Sequence, residues 1–243
     1  MTLSPPFSPP LEGLLLIDKP IGSTSFSLVA KLRHLTKVKT IGHAGTLDPF
    51  ATGVMVLLIG KNYTRLSSQF LECDKEYTCT VTLGAATDSY DIDGEITSSS
   101  DKIPSLEEIK SSLKAFNGKV LQTPPMFSAK KVGGKKLYEL ARRGITIERA
   151  AVPVEMETTI QIYNYPYLEL HVRCSKGTYI RSIAHDLGLA LGSYGHLSKL
   201  KRIRSGEFLL ENCMTMETLL TPSFDLLTHL KKWNPSLCTS SQI

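Results

Sequence analysis

The chain has 243 residues, 42% hydrophobic and 21% charged, with a formal net charge of +5. A chain of this length and globular composition builds one large domain or two small ones, with a core that needs no staples. Its five cysteines (Cys73, Cys79, Cys174, Cys213 and Cys238) form no C-x-x-C pair and are odd in number, which argues against a disulfide framework or a zinc site and for a reducing compartment.

Residues 1–12 contain four prolines and no Lys or Arg. They lack the charged n-region and apolar core of a signal peptide, and are expected to be a flexible segment. The apolar runs elsewhere are far shorter than a membrane span. A soluble, cytoplasmic protein without membrane contact is expected.

Residues 14–17 read as a buried strand, and Asp18, Lys19, Pro20 and Gly22 turn the chain. Ser23, Thr24 and Ser25 offer N-caps for a helix through about Leu35. The loop 43–53 follows, poor in apolar residues and held between Gly45 and Gly53. Pro49 fixes its own φ and biases Asp48 towards an extended conformation. Asp48 is therefore either part of an Asp-Pro turn or a carboxylate displayed for chemistry.

Residues 54–59, fully apolar, read as a central strand, and a helix is expected over 63–71. Residues 77–83 alternate in the strand manner, with Tyr77, Cys79, Val81 and Leu83 on one side. Tyr77 is by default a core tyrosine. The polar stretch 85–100 fails as a calcium loop: with Gly94 as the loop glycine, positions one and twelve are Ser89 and Ser100 instead of acidic residues. It reads as an acidic surface loop. Ser105 opens a helix to about Phe116, stopped by Asn117 and Gly118.

Between Lys119 and Arg149 stand eight basic residues and two acidic ones, a net +6 against +5 for the whole chain, so the rest carries about −1. A basic patch on a near-neutral body suits a polyanion, and equally a solvated lysine-rich face. Within it a strand over 127–132, a Gly133–Gly134 turn and a helix over 136–143 suggest an arm set on the domain, outside its sheet. Residues 154–163 and 167–173 read as paired strands. A helix follows over 179–191, with Arg181 in its first turn, where the macrodipole disfavours a cation. Such an arginine has an anionic partner or reaches water. Residues 196–203 read as a strand and 216–220 as a short helix, and the tail from Thr221 is expected to be loosely attached.

Four stretches then fall together: 13–20 with its Asp-Lys-Pro, the H-x-G-x-L-D-P-x-A-x-G loop from His43 to Gly53, 125–142, and 174–181 ending in Tyr179, Ile180 and Arg181. In this order and spacing the chain resembles the bacterial TruB family, the tRNA pseudouridine-55 synthases, from about Gly13 to Leu220. The resemblance implies an α+β class, the pseudouridine synthase fold: a long, largely antiparallel mixed sheet flanked by helices, with a basic RNA-gripping insertion at 122–149. It implies isomerisation of a T-loop uridine to pseudouridine without cofactor or metal.

By matching position, the resemblance makes Asp48 the catalytic aspartate, Arg181 the arginine that pairs with it, and Tyr77 the tyrosine that stacks on the target base. His43 helps take the nucleotide out of its stack, a step required because C1′ and the base faces are otherwise covered. Leu200 lines the site. Tyr179, Lys130 and Arg142 are expected to bind substrate, the last two within the arm that grips the T-arm of tRNA. Family members usually continue into a C-terminal PUA domain. Residues 221–243 are too few for one, so the expectation is a catalytic domain at 13–220 that acts on tRNA alone, as a monomer and without an accessory protein. A non-catalytic RNA-folding module and a carboxylate-dependent glycosidase are the competing classes. The first has no need of Asp48, Tyr77 and Arg181, and the second needs a second carboxyl near Asp48.

Overall fold

The apolar run after Glu12 forms strand β1 (Gly13–Lys19) in a computed structural model that describes residues 11–221 and 225–233. The chain divides into two compact units. One comprises the described residues up to Glu72 and from Ser205 onward, and the other runs from Cys73 to Arg204.

In the first unit, helix α1 (Ser25–Thr36) and strand β2 (Ile41–His43) lead to β3 (Thr52–Ile59). Thr24 caps α1, its side chain accepting from Ser27 N. The helix buries Ser25, Leu28, Val29 and Leu32 and leaves Phe26 exposed. Strands β1 and β3 pair antiparallel from Gly13↔Ile59 to Lys19↔Gly53, and β2 joins β3 through Ile41↔Ile59 and His43↔Leu57. Residues 54–59 are at most 1% exposed, as an apolar run covered on both faces requires. Leu14, Leu16, Val54, Val56, Leu58 and Phe70 form one cluster.

The helix expected over 63–71 is two short ones, α2 (Lys61–Thr64) and α3 (Ser67–Glu72). The break lies where Leu66 N bonds Tyr63 O in a tightened turn and Leu66 packs on the core cluster. The tail is also more firmly held than expected. Lys231 exchanges both backbone bonds with Leu14, at 2.9 and 2.8 Å, and Trp233 packs against Phe70 with ring centroids 4.7 Å apart. Residues 222–224 and 234–243 lie outside the described residues, as do residues 1–10 of the N-terminal segment. Glu12 is fixed, its carboxylate accepting from Asn62 Nδ2 at 2.6 Å.

The second unit opens with β4 (Lys75–Leu83), which extends the predicted strand by two residues and buries Tyr77, Cys79, Val81 and Leu83 as the alternation predicts. A hairpin of β5 (Ala85–Thr87) and β6 (Ile96–Ser99) carries the polar loop between its strands. Helix α4 (Leu106–Leu113) begins with a capping box between Ser105 and Glu108. Strand β7 (Gly118–Gln122) leads into the basic segment. There β8 (Lys131–Val132) and β9 (Lys135–Lys136) form a separate two-stranded sheet ahead of α5 (Leu137–Ala141). The chain bends over 126–129 and forms no strand before Lys131, where one was expected from 127, because Ser128 bonds back to Met126 and on to Tyr138. The segment has its own small core of Met126, Leu137 and Leu140.

Strands β10 (Val152–Asn164) and β11 (Tyr167–Cys174) form the long antiparallel pair, followed by helix α6 (Ile180–Ala190) and strand β12 (Gly195–Ser205). The order in this unit is β12-β4-β11-β10-β7, with β4–β11, β11–β10 and β10–β7 all antiparallel. Helix α6 meets the start of β12 at Gly188, where a Cβ would fall 2.2 Å from Gly195 N. Only glycine allows that approach.

Candidate active site

In the first unit, the Asp48 loop is held by side chains and amides of the segment preceding it. Ser25 Oγ accepts from Leu47 N at 2.9 Å and donates to Leu47 O at 3.1 Å. Lys19 is fully buried, and its Nζ donates to Pro20 O, Ser23 O and Pro49 O at 3.1, 2.6 and 3.2 Å. Gly22 N also donates to Pro49 O, at 2.9 Å, and Asp18 Oδ1 accepts from Gly53 N at 3.0 Å. A lysine ammonium taken out of water needs such acceptors. The loop's apolar members Ala44, Leu47, Phe50 and Ala51 are buried, while Asp48 is partly exposed. Gly45 and Gly53 sit at φ 99° and 104°, the positive angles the sequence suggested. His43, partly exposed, ends β2 at the entry to this loop.

In the second unit, Arg181 occupies the first turn of α6 and is 5% exposed. Its guanidinium has an anionic partner, the first of the two alternatives its position left open, and that partner is in the polar loop: Asp91 Oδ2 stands 3.2 Å from Nη1. Nη1 also donates to Ser89 O at 3.0 Å and Nη2 to Phe127 O at 2.7 Å. The polar loop is thus only in part an acidic surface loop. Asp88, Asp93 and Glu95 face solvent, but Thr87, Ser89 and Asp91 are buried. Asp91 Oδ1 accepts from Ser89 Oγ at 2.5 Å and from Asp93 N at 3.1 Å, so the second oxygen of the carboxylate is also satisfied. Gly94 lets the loop fold back on itself, since a Cβ there would lie 2.2 Å from Ser89 Oγ.

Two further contacts tie this loop down. Tyr90 and Ile92 exchange backbone bonds with Leu197 of β12 at 3.0 Å. The Tyr90 ring stacks on His185, with centroids 3.7 Å apart and planes 10° from parallel, although Tyr90 has φ 67°. His185 lies one helical turn beyond Arg181, so α6 receives the loop at two adjacent points. Burial, and secondly Arg149, push the His185 pKa down, favouring a neutral ring. Sequence reading missed Asp91, Tyr90 and His185. The one available signal was Arg181 itself, a cation against the helix dipole in a chain whose polar loop carries four carboxylates.

Tyr77 is 9% exposed, on the buried side of β4 opposite Val172. The neighbouring Glu76, on the other side of the strand, is held by Arg204 Nε at 2.8 Å, with His171 at 3.4 Å and Arg173 at 3.9 Å. The backbone behind Tyr77 is thereby tied to β11 and β12. Lys75, 7% exposed, has its pKa lowered by burial first and by Arg202 second, and its Nζ donates to Cys73 O. Leu200 is buried on β12. Tyr179 precedes α6, and Gln122, at the end of β7, grips both its backbone groups: Oε1 accepts from Tyr179 N at 2.7 Å and Nε2 donates to Tyr179 O at 3.1 Å. Lys130 is partly exposed and Arg142 exposed, the latter 5.4 Å from the Tyr138 ring centroid in a cation–π arrangement. Burial raises the thiols of Cys79 and Cys174 to about 12, which makes both unreactive.

Residues 33–180 match the profile of the TruB family pseudouridylate synthase N-terminal domain, and residues 181–225 that of the tRNA pseudouridylate synthase B C-terminal domain. The chain belongs to the TruB family. A tRNA pseudouridine synthase B of Chlamydia muridarum (strain MoPn / Nigg) is 54% identical over 225 residues, 93% of each chain. That of Protochlamydia amoebophila (strain UWE25) is 63% identical over 204 residues, 84% of this chain and 78% of the relative. Among solved structures, the chain is similar to one described as a Cbf5-Nop10-Gar1 complex (TM-score 0.67, 28% identity), covering 85% of this chain and 53% of that one. The TruB chain described here thus spans about half the length of that solved relative. The match fixes the α+β pseudouridine synthase fold. Among the described residues, no helix is long and apolar enough to cross a membrane.

Proposed function

We propose that this protein is a tRNA pseudouridine synthase that isomerises the uridine at position 55, in the T-loop. The observation that carries the reading is the match along 93% of both chains to relatives named tRNA pseudouridine synthase B. The firmly held aspartate loop and the buried, partnered arginine support it from the geometry.

In the reaction, the uracil N1–C1′ bond breaks, the base turns, and C5 joins C1′. The C5 proton leaves and N1 gains one, so nothing else is consumed. Asp48 is the catalytic residue that acts on the sugar. Arg181 is, by position in the family, the arginine that serves this aspartate. Tyr77 stacks on the base and takes part in removing the C5 proton. His43 holds the nucleotide out of its stack, and Leu200 and Tyr179 line the place it enters. Lys130 and Arg142 belong to the arm that grips the T-arm backbone, a phosphate interaction that positions rather than specifies. The protein acts in the cytoplasm, as a monomer, without a cofactor, a metal or an accessory protein.

Incubating the purified protein with unmodified tRNA, and mapping pseudouridine, tests this. Wild type should convert one T-loop uridine with nothing else added. Asp48→Asn should convert none while binding the RNA as tightly as wild type. Near-wild-type conversion by that variant would overturn the assignment.

A further inference from the structure

Serine in the first turn of a helix ordinarily bonds a backbone group of its own helix or water. Ser25, the first residue of α1, turns its hydroxyl away from its own helix to a distant backbone. The capping task is already filled by Thr24, whose Oγ1 accepts from Ser27 N at 2.9 Å. Ser25 is 3% exposed, and its hydroxyl turns to a residue 22 positions on, accepting from Leu47 N at 2.9 Å and donating to Leu47 O at 3.1 Å. One oxygen thereby makes with Leu47 the two bonds that a hydrogen-bonded residue in a neighbouring antiparallel strand would make.

We infer that Ser25 is a positioning residue for Asp48, an inference that rests on the role given to Asp48 above. The groups Ser25 holds lie on either side of the Leu47 Cα, so both soft dihedrals of Leu47 are fixed. The pinned carbonyl oxygen belongs to the same planar peptide unit as the Asp48 Cα, because the Cα–C–O–N–H–Cα atoms share a plane. Holding Leu47 O therefore sets where the Asp48 Cα lies. On the far side, Pro49 O is held by Lys19 Nζ and Gly22 N, so Asp48 stands between two anchored carbonyls. The Leu47 side chain, 4% exposed, completes the anchorage. Misplacing a reacting group by about 1 Å can cost on the order of 100-fold in rate, and loss of one hydroxyl here releases the nearer of the two anchors.

The test compares Ser25→Ala, Ser25→Thr and Thr24→Ala with wild type and Asp48→Asn. Each is assayed for RNA affinity, single-turnover rate, Tm and amide exchange of a peptide covering 44–53. Ser25→Ala should lose about 10-fold or more in rate with affinity within twofold, and its Leu47 region should exchange faster. Ser25→Thr, which keeps the hydroxyl, should recover most of the rate. Thr24→Ala removes the helix cap but leaves the Leu47 bonds, so it should lower Tm with rate and exchange unchanged. If Ser25→Ala fails to fold, Ser25→Cys, which fills the site with a weak hydrogen-bonding group, should show the same rate loss. A Ser25→Ala rate within twofold of wild type overturns the inference, as does an equal rate loss in Thr24→Ala. Activity in Asp48→Asn overturns the reading of the loop instead, and the exchange rates then still decide whether Ser25 holds it.

Discussion

The carboxylate of Asp91 and the guanidinium of Arg181 stand 3.2 Å apart with side chains only 7% and 6% exposed. An ion pair this deeply covered loses hydration on both sides, and it persists because each partner has further bonds: Ser89 Oγ and Asp93 N on the acid, and the carbonyls of Ser89 and Phe127 on the base. Three segments remote in sequence therefore converge on one guanidinium.

Removing the acid should be costly. Asp91→Ala leaves a buried cation without this anion, and loss of one partner of a buried pair costs about 3–5 kcal/mol. The urea midpoint of Asp91→Ala should fall accordingly, and turnover should fall at temperatures where the variant remains folded. Asp91→Asn, which keeps the shape, should be less destabilised but equally slow. A midpoint unchanged from wild type in both variants would show that the pair is not structural.

The basic arm should act through charge. Replacing Lys130, Lys131, Arg142 and Arg143 with glutamate should weaken RNA binding and flatten its salt dependence. Each phosphate contact contributes about 0.7–0.9 to the slope of log K against log salt, so the loss of four should lower it by about 3. Titrations at several salt concentrations check this, and an unchanged slope would exclude the arm as the grip.

Trp233 is the single tryptophan of the chain, and it packs on Phe70 while its Nε1 donates to Glu207 at 3.0 Å. Tryptophan emission, excited selectively over the chain's nine tyrosines, therefore reports on the attachment of the tail. Emission should be blue-shifted in the native protein and shift red in a single unfolding transition. Trp233→Ala should cost about 2 kcal/mol, below the 3–5 typical of a fully buried aromatic, because the ring is only partly covered. A water-like emission maximum in the native state would contradict the docking.

Asp186, on α6, has its pKa pushed up from 3.8 to about 6 by burial. The folded state keeps this proton over a pH range in which the unfolded state has lost it, so this group's contribution falls as pH rises from about 4 to 6 and stays low above. Asp186→Asn removes that loss. Its stability relative to wild type should be unchanged below pH 4 and rise through pH 6, by on the order of 1 kcal/mol once discounted for partial exposure. His185 acts in the opposite sense. Its lowered pKa makes stability fall as pH drops below about 6.5. Denaturant midpoints of the variant and wild type at pH 4, 5, 6 and 7 separate the two.

Much of this was legible from residue patterns. Alternation located β4 and the face of Tyr77, the apolar run located β3, and Ser105 with Glu108 located the start of α4. The Asp48 loop was visible through its glycines and Pro49. Where local signals were weak, tertiary contacts decided. The 63–71 helix broke where Leu66 had to reach the core, and 126–129 bent where Ser128 bonds Met126 and Tyr138. The burial of Asp91 could not be seen, because a carboxylate in a polar loop looks the same whether or not an arginine 90 positions away has reached it. The same holds for Ser25, whose hydroxyl reads as a capping candidate until its partner is known.

The attachment of Lys231 to Leu14, together with the bonds of Met214 to Leu16 and Asp18 at 3.0 and 2.8 Å, has a consequence for solubility. These bonds engage backbone groups of β1 that its ladder with β3 does not use, and residues 14–17 of β1 are a run of leucine and isoleucine. Bare, such an edge is a template on which a second molecule can add a strand and begin an aggregate. The two late segments occupy it first. Losing them would therefore expose a self-associating edge, and a shortened chain should fail first in concentrated solution.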